Sequence, residues 1–122
     1  MLTMSYDRTF HRLSWGIETY DAISGPWCHG VLPAGEYTIK IYNAVTGSSL
    51  SSGYRDALTN DRWFIPLEPK FSTPRQGLGI HPDGNVPGTE GCVGLRGPDA
   101  SKFWTKWNST PMGLRPTSLT VT

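Results

Sequence analysis

Several things are scarce in this sequence, and each scarcity excludes a class of protein. No uninterrupted run of about 18 apolar residues occurs, so no membrane-spanning helix and no membrane insertion is expected. Charged residues make up only 17%, the 11 Lys and Arg nearly cancel the 10 Asp and Glu, and no basic cluster is present to neutralise phosphates. Nucleic acid is therefore not an expected partner. Cysteine is confined to Cys28 and Cys92, whose spacing is not that of a disulfide framework, and the expectation is two thiols. Met1 to Arg8 has neither the basic start nor the apolar centre of a signal peptide, so synthesis in the cytoplasm without a leader is expected. No internal repeat is visible.

What is plentiful is turn formers and aromatics. Fourteen Gly and ten Pro break the chain into short pieces, while five Trp, five Tyr and four Phe supply a core large enough for one domain spanning residues 1–122. A monomer is the default. Leu2 to Tyr6 and Thr9 to Trp15 alternate apolar and polar, as strands do, with His11 a partly exposed strand residue. Ile17 to Tyr20 is a third strand, and Glu36 to Tyr42 is the clearest of all. Arg62 to Leu67 predicts a strand that Pro66 confines to an edge or a strand end. Between them, Asn43 to Asp61 is polar and Ser/Gly-rich, and is either a lid or substrate edge or a mobile insertion. Gly97 to Trp107 is the one helix, opened by Pro98 and Asp99 and striped by Ala100, Phe103, Trp104 and Trp107, which read as core. Ser118 to Thr122 alternates as a closing strand. The pattern is a mainly β meander of short antiparallel strands with a single helix.

The chemistry concentrates between Arg75 and Leu95. His81 ends a short strand, Leu78 to His81, and precedes Cys92 by eleven positions; the interval holds Pro82, Gly84, Pro87, Gly88 and Gly91, a loop composition. Such a loop can fold back and bring imidazole and thiol together, the requirement for a Cys/His nucleophile pair. Gly91, lacking a Cβ, lets a substrate carbonyl approach the amides of residues 91 and 92, a candidate oxyanion hole.

His81-Pro-Asp-Gly84 followed by Gly88-Thr-Glu-Gly-Cys92-Val-Gly-Leu95 resembles the active-site signature of the L,D-transpeptidase catalytic domain, closest to its short-loop branch with a Glu-Gly-Cys signature, found among antibacterial effectors. A looser likeness runs through Ser24-Gly25-Pro26 and Leu32 to Ile39. The sequence departs from the larger family at Glu90, where His is usual, and at Gly94, where Asn or Arg is common. The resemblance implies a β-sandwich or barrel and an enzyme acting on peptidoglycan stem peptides through a thioacyl intermediate, as transpeptidase or carboxypeptidase, with no cofactor. Cys92 is then the nucleophile, His81 the base and Gly91 the small residue preceding the nucleophile. It further implies action in the periplasm or cell wall after specialised secretion or lysis, as effector toxin, phage lysis enzyme or remodelling enzyme, with an immunity or delivery protein as possible partner.

Around this pair, Arg75 is a candidate for a substrate carboxylate, Asp83 for orienting the second imidazole nitrogen or facing substrate, and Thr89 and Glu90 for shaping the loop or contacting substrate. The family also uses a backbone carbonyl for the orienting role, and both options stay open. Two rival readings stand beside the enzyme: a zinc module built from Cys28, His29, His81 and Cys92, which lacks the usual ligand spacings, and an inactive cell-wall-binding domain.

Overall fold

The structure, a computed structural model, describes residues 2–25, 31–47, 49–50, 52–56, 58–83 and 92–122. Its strands are β1 (Thr3–Asp7), β2 (Arg12–Trp15), β3 (Glu18–Ile23), β4 (Gly35–Ile39), β5 (Val45–Thr46), β6 (Trp63–Pro69), β7 (Gly79–Pro82), β8 (Val93–Leu95) and β9 (Ser118–Val121), with the helix α1 at Gly97–Ser109. Neighbours run β4-β9-β1-β2-β3-β8-β7-β6, and β6 returns to pair with β4, so eight strands close into a barrel. β5 hangs from β6 outside the ring. The expected mainly β fold with one helix after Cys92 is what forms. Most pairings are antiparallel, but β1–β9 and β7–β8 are parallel, which a simple meander does not contain.

Local chemistry explains most of the boundaries. After β1, the Asp7 carboxylate accepts hydrogen bonds from the amides of Thr9 (2.8 Å) and Phe10 (3.1 Å), closing a turn. His11 completes that turn with φ of 56° and is exposed, so it is a turn residue and not part of a strand. The alternation that runs on to Tyr42 in the sequence is interrupted at Lys40, and Ile41–Asn43 is a 3₁₀ turn. Pro66 is the clearest departure: β6 runs through it and is paired on both sides. The reason lies in the bonding. The Leu67 amide donates to the carbonyl of Leu78, just before β7 (2.8 Å), so residue 66 faces the other way, where its carbonyl accepts from the Lys40 amide (2.9 Å). There the β5 pairing ends at Phe64 and the β4 pairing starts at Leu67, so no partner strand requires an amide hydrogen from Pro66.

The helix runs two residues beyond Trp107. Its first turn is tied to the barrel by Asp99, whose carboxylate accepts from the Asp21 amide of β3 at 2.7 Å. Its last carbonyls, orphaned by geometry, are met by Arg115, whose Nε donates to Trp107 (3.0 Å) and Thr110 (3.1 Å) while its guanidinium lies 5.0 Å above the Trp107 ring.

Every strand except β5 contributes to one core, which α1 joins through Ala100, Phe103 and Trp107. Phe103 is its hub: Trp63 stacks on it at 5.6 Å, and Trp15 and Tyr20 meet it at 5.6 and 5.4 Å. Trp104 is half-buried and stacks on the other aromatic of β6's inner row, Trp63, at 4.6 Å. Phe103→Ala therefore opens a cavity among rigid rings that cannot collapse into it. The expected loss is about 3–5 kcal/mol of unfolding free energy, read as a fall in the denaturant midpoint.

Candidate active site

β7 and β8 lie side by side and parallel, with Ile80 opposite Val93, His81 opposite Gly94 and Pro82 opposite Leu95. Alternation then sorts their side chains onto two faces. Ile80, Val93 and Leu95 enter the core, together with Ile65 of the neighbouring β6. His81 takes the opposite face, and its partner Gly94 has no side chain. Extending the register one step before β8 sets Cys92 beside Gly79, on the face of His81 and offset from it by two residues. Across paired strands that offset is roughly 7–8 Å between backbones, within reach of an aromatic ring. Gly94 adds no side chain between them, and the space over Gly79 is taken by the Phe64 ring of β6.

Cys92 is buried as a thiol, with its sulfur 3.6 Å from the Gly77 carbonyl. His81 is only 4% exposed. Its Nδ1 lies 2.7 Å from the Pro82 carbonyl. A carbonyl oxygen can only accept, so Nδ1 carries the proton and Nε2 is left with the lone pair. Of the two orienting options that the sequence leaves open, the backbone one is thus realised at Pro82. Burial pushes the imidazole down from 6.5 to about 4, against the opposing pull of the Pro82 hydrogen bond. The ring is neutral at physiological pH.

Two aromatic residues that sequence reasoning missed enclose the imidazole. Phe64, one step along the β6–β7 register from the Ile65–Ile80 pair, stacks on His81 with ring centres 5.9 Å apart and planes 14° from parallel. Tyr54, in a 3₁₀ turn at Ser52–Tyr54, meets the imidazole edge-on at 4.6 Å and Phe64 at 5.1 Å. The signal for Phe64 was its outward place in the alternation of β6. For Tyr54 there was none, since the Asn43–Asp61 stretch reads as undifferentiated polar loop. Gly79 makes the arrangement possible, because a Cβ there would collide with the Phe64 ring.

The other candidates are distributed unevenly. Asp83 follows β7 directly, and its amide donates to the Leu95 carbonyl at 2.7 Å, extending the β7–β8 ladder. Arg75 lies in the β6–β7 connection, half-buried, with a guanidinium nitrogen 3.4 Å from the Val31 carbonyl. Gly91, Thr89 and Glu90 lie outside the described residues, as do Cys28 and His29 of the zinc alternative. Among the described residues no group of three or more His, Cys, Asp or Glu is gathered as metal ligands.

No family model and no curated protein matches the sequence. The fold is nevertheless a known one, that of the L,D-transpeptidases. An L,D-transpeptidase from Mycobacterium tuberculosis H37Rv superposes with a TM-score of 0.56 over 99% of this chain at 19% identity. L,D-transpeptidase 3 from the same species gives 0.56 over 99% at 16%, and an L,D-transpeptidase from Mycobacterium smegmatis gives 0.52 over 99% at 14%. This chain spans 57–60% of the length of those three structures.

Because His81 binds its proton more weakly in the folded protein than in the unfolded chain, its contribution to stability is fully present above pH 6.5 and is lost as pH falls toward 4. The loss is roughly 3 kcal/mol, and the expected outcome is a fall in denaturant midpoint across that window that His81→Gln removes. Gly79→Ala should displace Phe64 from its place over the imidazole, seen as a changed chemical shift of the His81 ring.

Proposed function

We propose that this protein is a cysteine-dependent enzyme of L,D-transpeptidase or L,D-carboxypeptidase type, acting on peptidoglycan stem peptides. The observation that carries this reading is the parallel pairing of β7 with β8, which puts His81 and the start of β8 on one sheet face with glycine at both intervening positions. The fold shared with L,D-transpeptidases supports it.

In this mechanism the neutral imidazole accepts the Cys92 proton at Nε2 as the sulfur attacks a stem-peptide carbonyl. The amides of Gly91 and Cys92 are the proposed donors to the resulting oxyanion. Collapse breaks the C–N bond, His81 returns its proton to the departing amine of the terminal D-residue, and a thioester remains on Cys92. Water or an acceptor amine attacks that thioester, gives its proton to His81, and the thiol is restored when the C–S bond breaks. Hydrolysis and transfer share every step up to the thioester. Arg75 is proposed to pair with a substrate carboxylate, with Asp83, Thr89 and Glu90 bordering the stem peptide. The protein is proposed to act as a monomer in the periplasm or cell wall, reached by specialised secretion or lysis, and an effector role would add an immunity or delivery partner. Among the described residues no helix is long and apolar enough to cross a membrane.

Incubation with purified sacculi, followed by mass spectrometry of the fragments, is the test. The expected products have lost a terminal D-residue or gained a cross-link or exchanged residue, and both vanish in Cys92→Ala. Sedimentation with sacculi without turnover would instead identify a binding domain, and stoichiometric zinc in the purified protein would identify the metal module.

A further inference from the structure

The connection from β4 to β6 does more than join strands. Its Ser52–Tyr54 turn is bound into the fold around it: the Gly47 amide donates to the Arg62 carbonyl (3.1 Å), the Arg62 guanidinium donates to the Leu50 carbonyl (2.7 Å), and Arg55 bridges to Arg62 across the base. The Asp56 amide donates to Asp61 at 2.7 Å, and its buried carboxylate accepts from the Leu58 amide at 2.8 Å. The segment is thus fixed at both flanks, and it presents the Tyr54 ring to β7.

From this geometry we infer that Tyr54 is a positioning residue for His81, clamping the imidazole against Phe64 with Nδ1 held on Pro82 and Nε2 left for the thiol. The inference rests on the enzymatic reading above and extends it to a residue whose role is exerted through the His81 ring. The T-shaped contact at 4.6 Å and the stacked contact at 5.9 Å come from two different elements, so the ring can neither tilt nor slide without losing one of them. The same two rings exclude water from the imidazole, whose depressed basicity follows from burial and from no charged neighbour. Among the described residues, the titratable and charged groups on the surrounding elements are Tyr54, Arg55 and Asp56 in the clamping segment, Arg62 and Glu68 at the two ends of β6, the Cys92 thiol before β8 and, on β7's own continuation, Asp83.

Two measurements test this, one independent of turnover. The first is an NMR titration of the His81 ring in a Cys92→Ala background, with and without Tyr54→Ala and Tyr54→Phe. The second is the acid limb of kcat/KM in the Cys92-intact proteins. In the parent the imidazole should titrate near 4. In Tyr54→Ala it should rise toward the ordinary histidine value, and Tyr54→Phe, which keeps the ring, should restore the low one. A rise to about 6 lowers kcat/KM at pH 5 about tenfold and leaves pH 8 little changed. A His81 titration unmoved by Tyr54→Ala overturns the inference. If Tyr54→Ala does not fold, Tyr54→Val, which fills only part of the volume and readmits water beside the imidazole, must raise the value or the inference falls. A moved titration in a protein with no turnover on sacculi would leave the packing contact but overturn both the enzymatic reading and Tyr54's role in it.

Discussion

The parallel pairing of β7 and β8 is the constraint from which the rest of the site follows. The register, Ile80 to Val93 and His81 to Gly94, decides which groups meet. A slip of one residue would exchange the faces, putting Gly94 and Cys92 toward the core and Val93 away from it. The core guards against that slip: Ile80, Val93 and Leu95 are essentially inaccessible to solvent and pack with aromatic residues of β6 and α1. Apolar packing on one side of the sheet thus sets the chemistry on the other.

The second constraint is electrostatic. Removing an imidazole from water disfavours its charged form, and His81 is enclosed by Phe64 and Tyr54, with one backbone carbonyl to direct it. A ring so placed has one protonation state and one tautomer at neutral pH, which is what a base for a thiol requires. A neutral imidazole in these surroundings also avoids the several kcal/mol that a buried charge would cost in desolvation.

Much of this was legible in the sequence, and the failures have physical reasons. Alternation revealed β1, β4 and β9 and the helix stripe, because those elements have one apolar face and one polar face. The strand that carries His81 was legible because Leu78 to His81 is a short apolar run, whereas the loop reading of the interval after it falls on residues 84–91, outside the described residues. Pro66 misled because its missing amide hydrogen matters only where a partner strand asks for one, and the gap between the β5 and β4 pairings is a tertiary fact. Lys40 and Ile41 continue a strand pattern that the crossing to β5 overrides. Tyr54 was invisible, since a single aromatic in a Ser/Gly-rich stretch has no periodicity to declare its target. Parallel pairing was equally hidden, because strand direction is set by connections and not by composition.

Ring closure has a further result that concerns the protein's dealings with its own copies. Each barrel strand has a partner strand on both sides, and among the described strands only β5, two residues long, has an outward edge. An open sheet of this size would offer a template on which another chain could add a strand. Closing β6 onto β4 withdraws that template, so of the exposed apolar side chains among the described residues only Val45 lies on a strand with an outward edge, and that strand is two residues long.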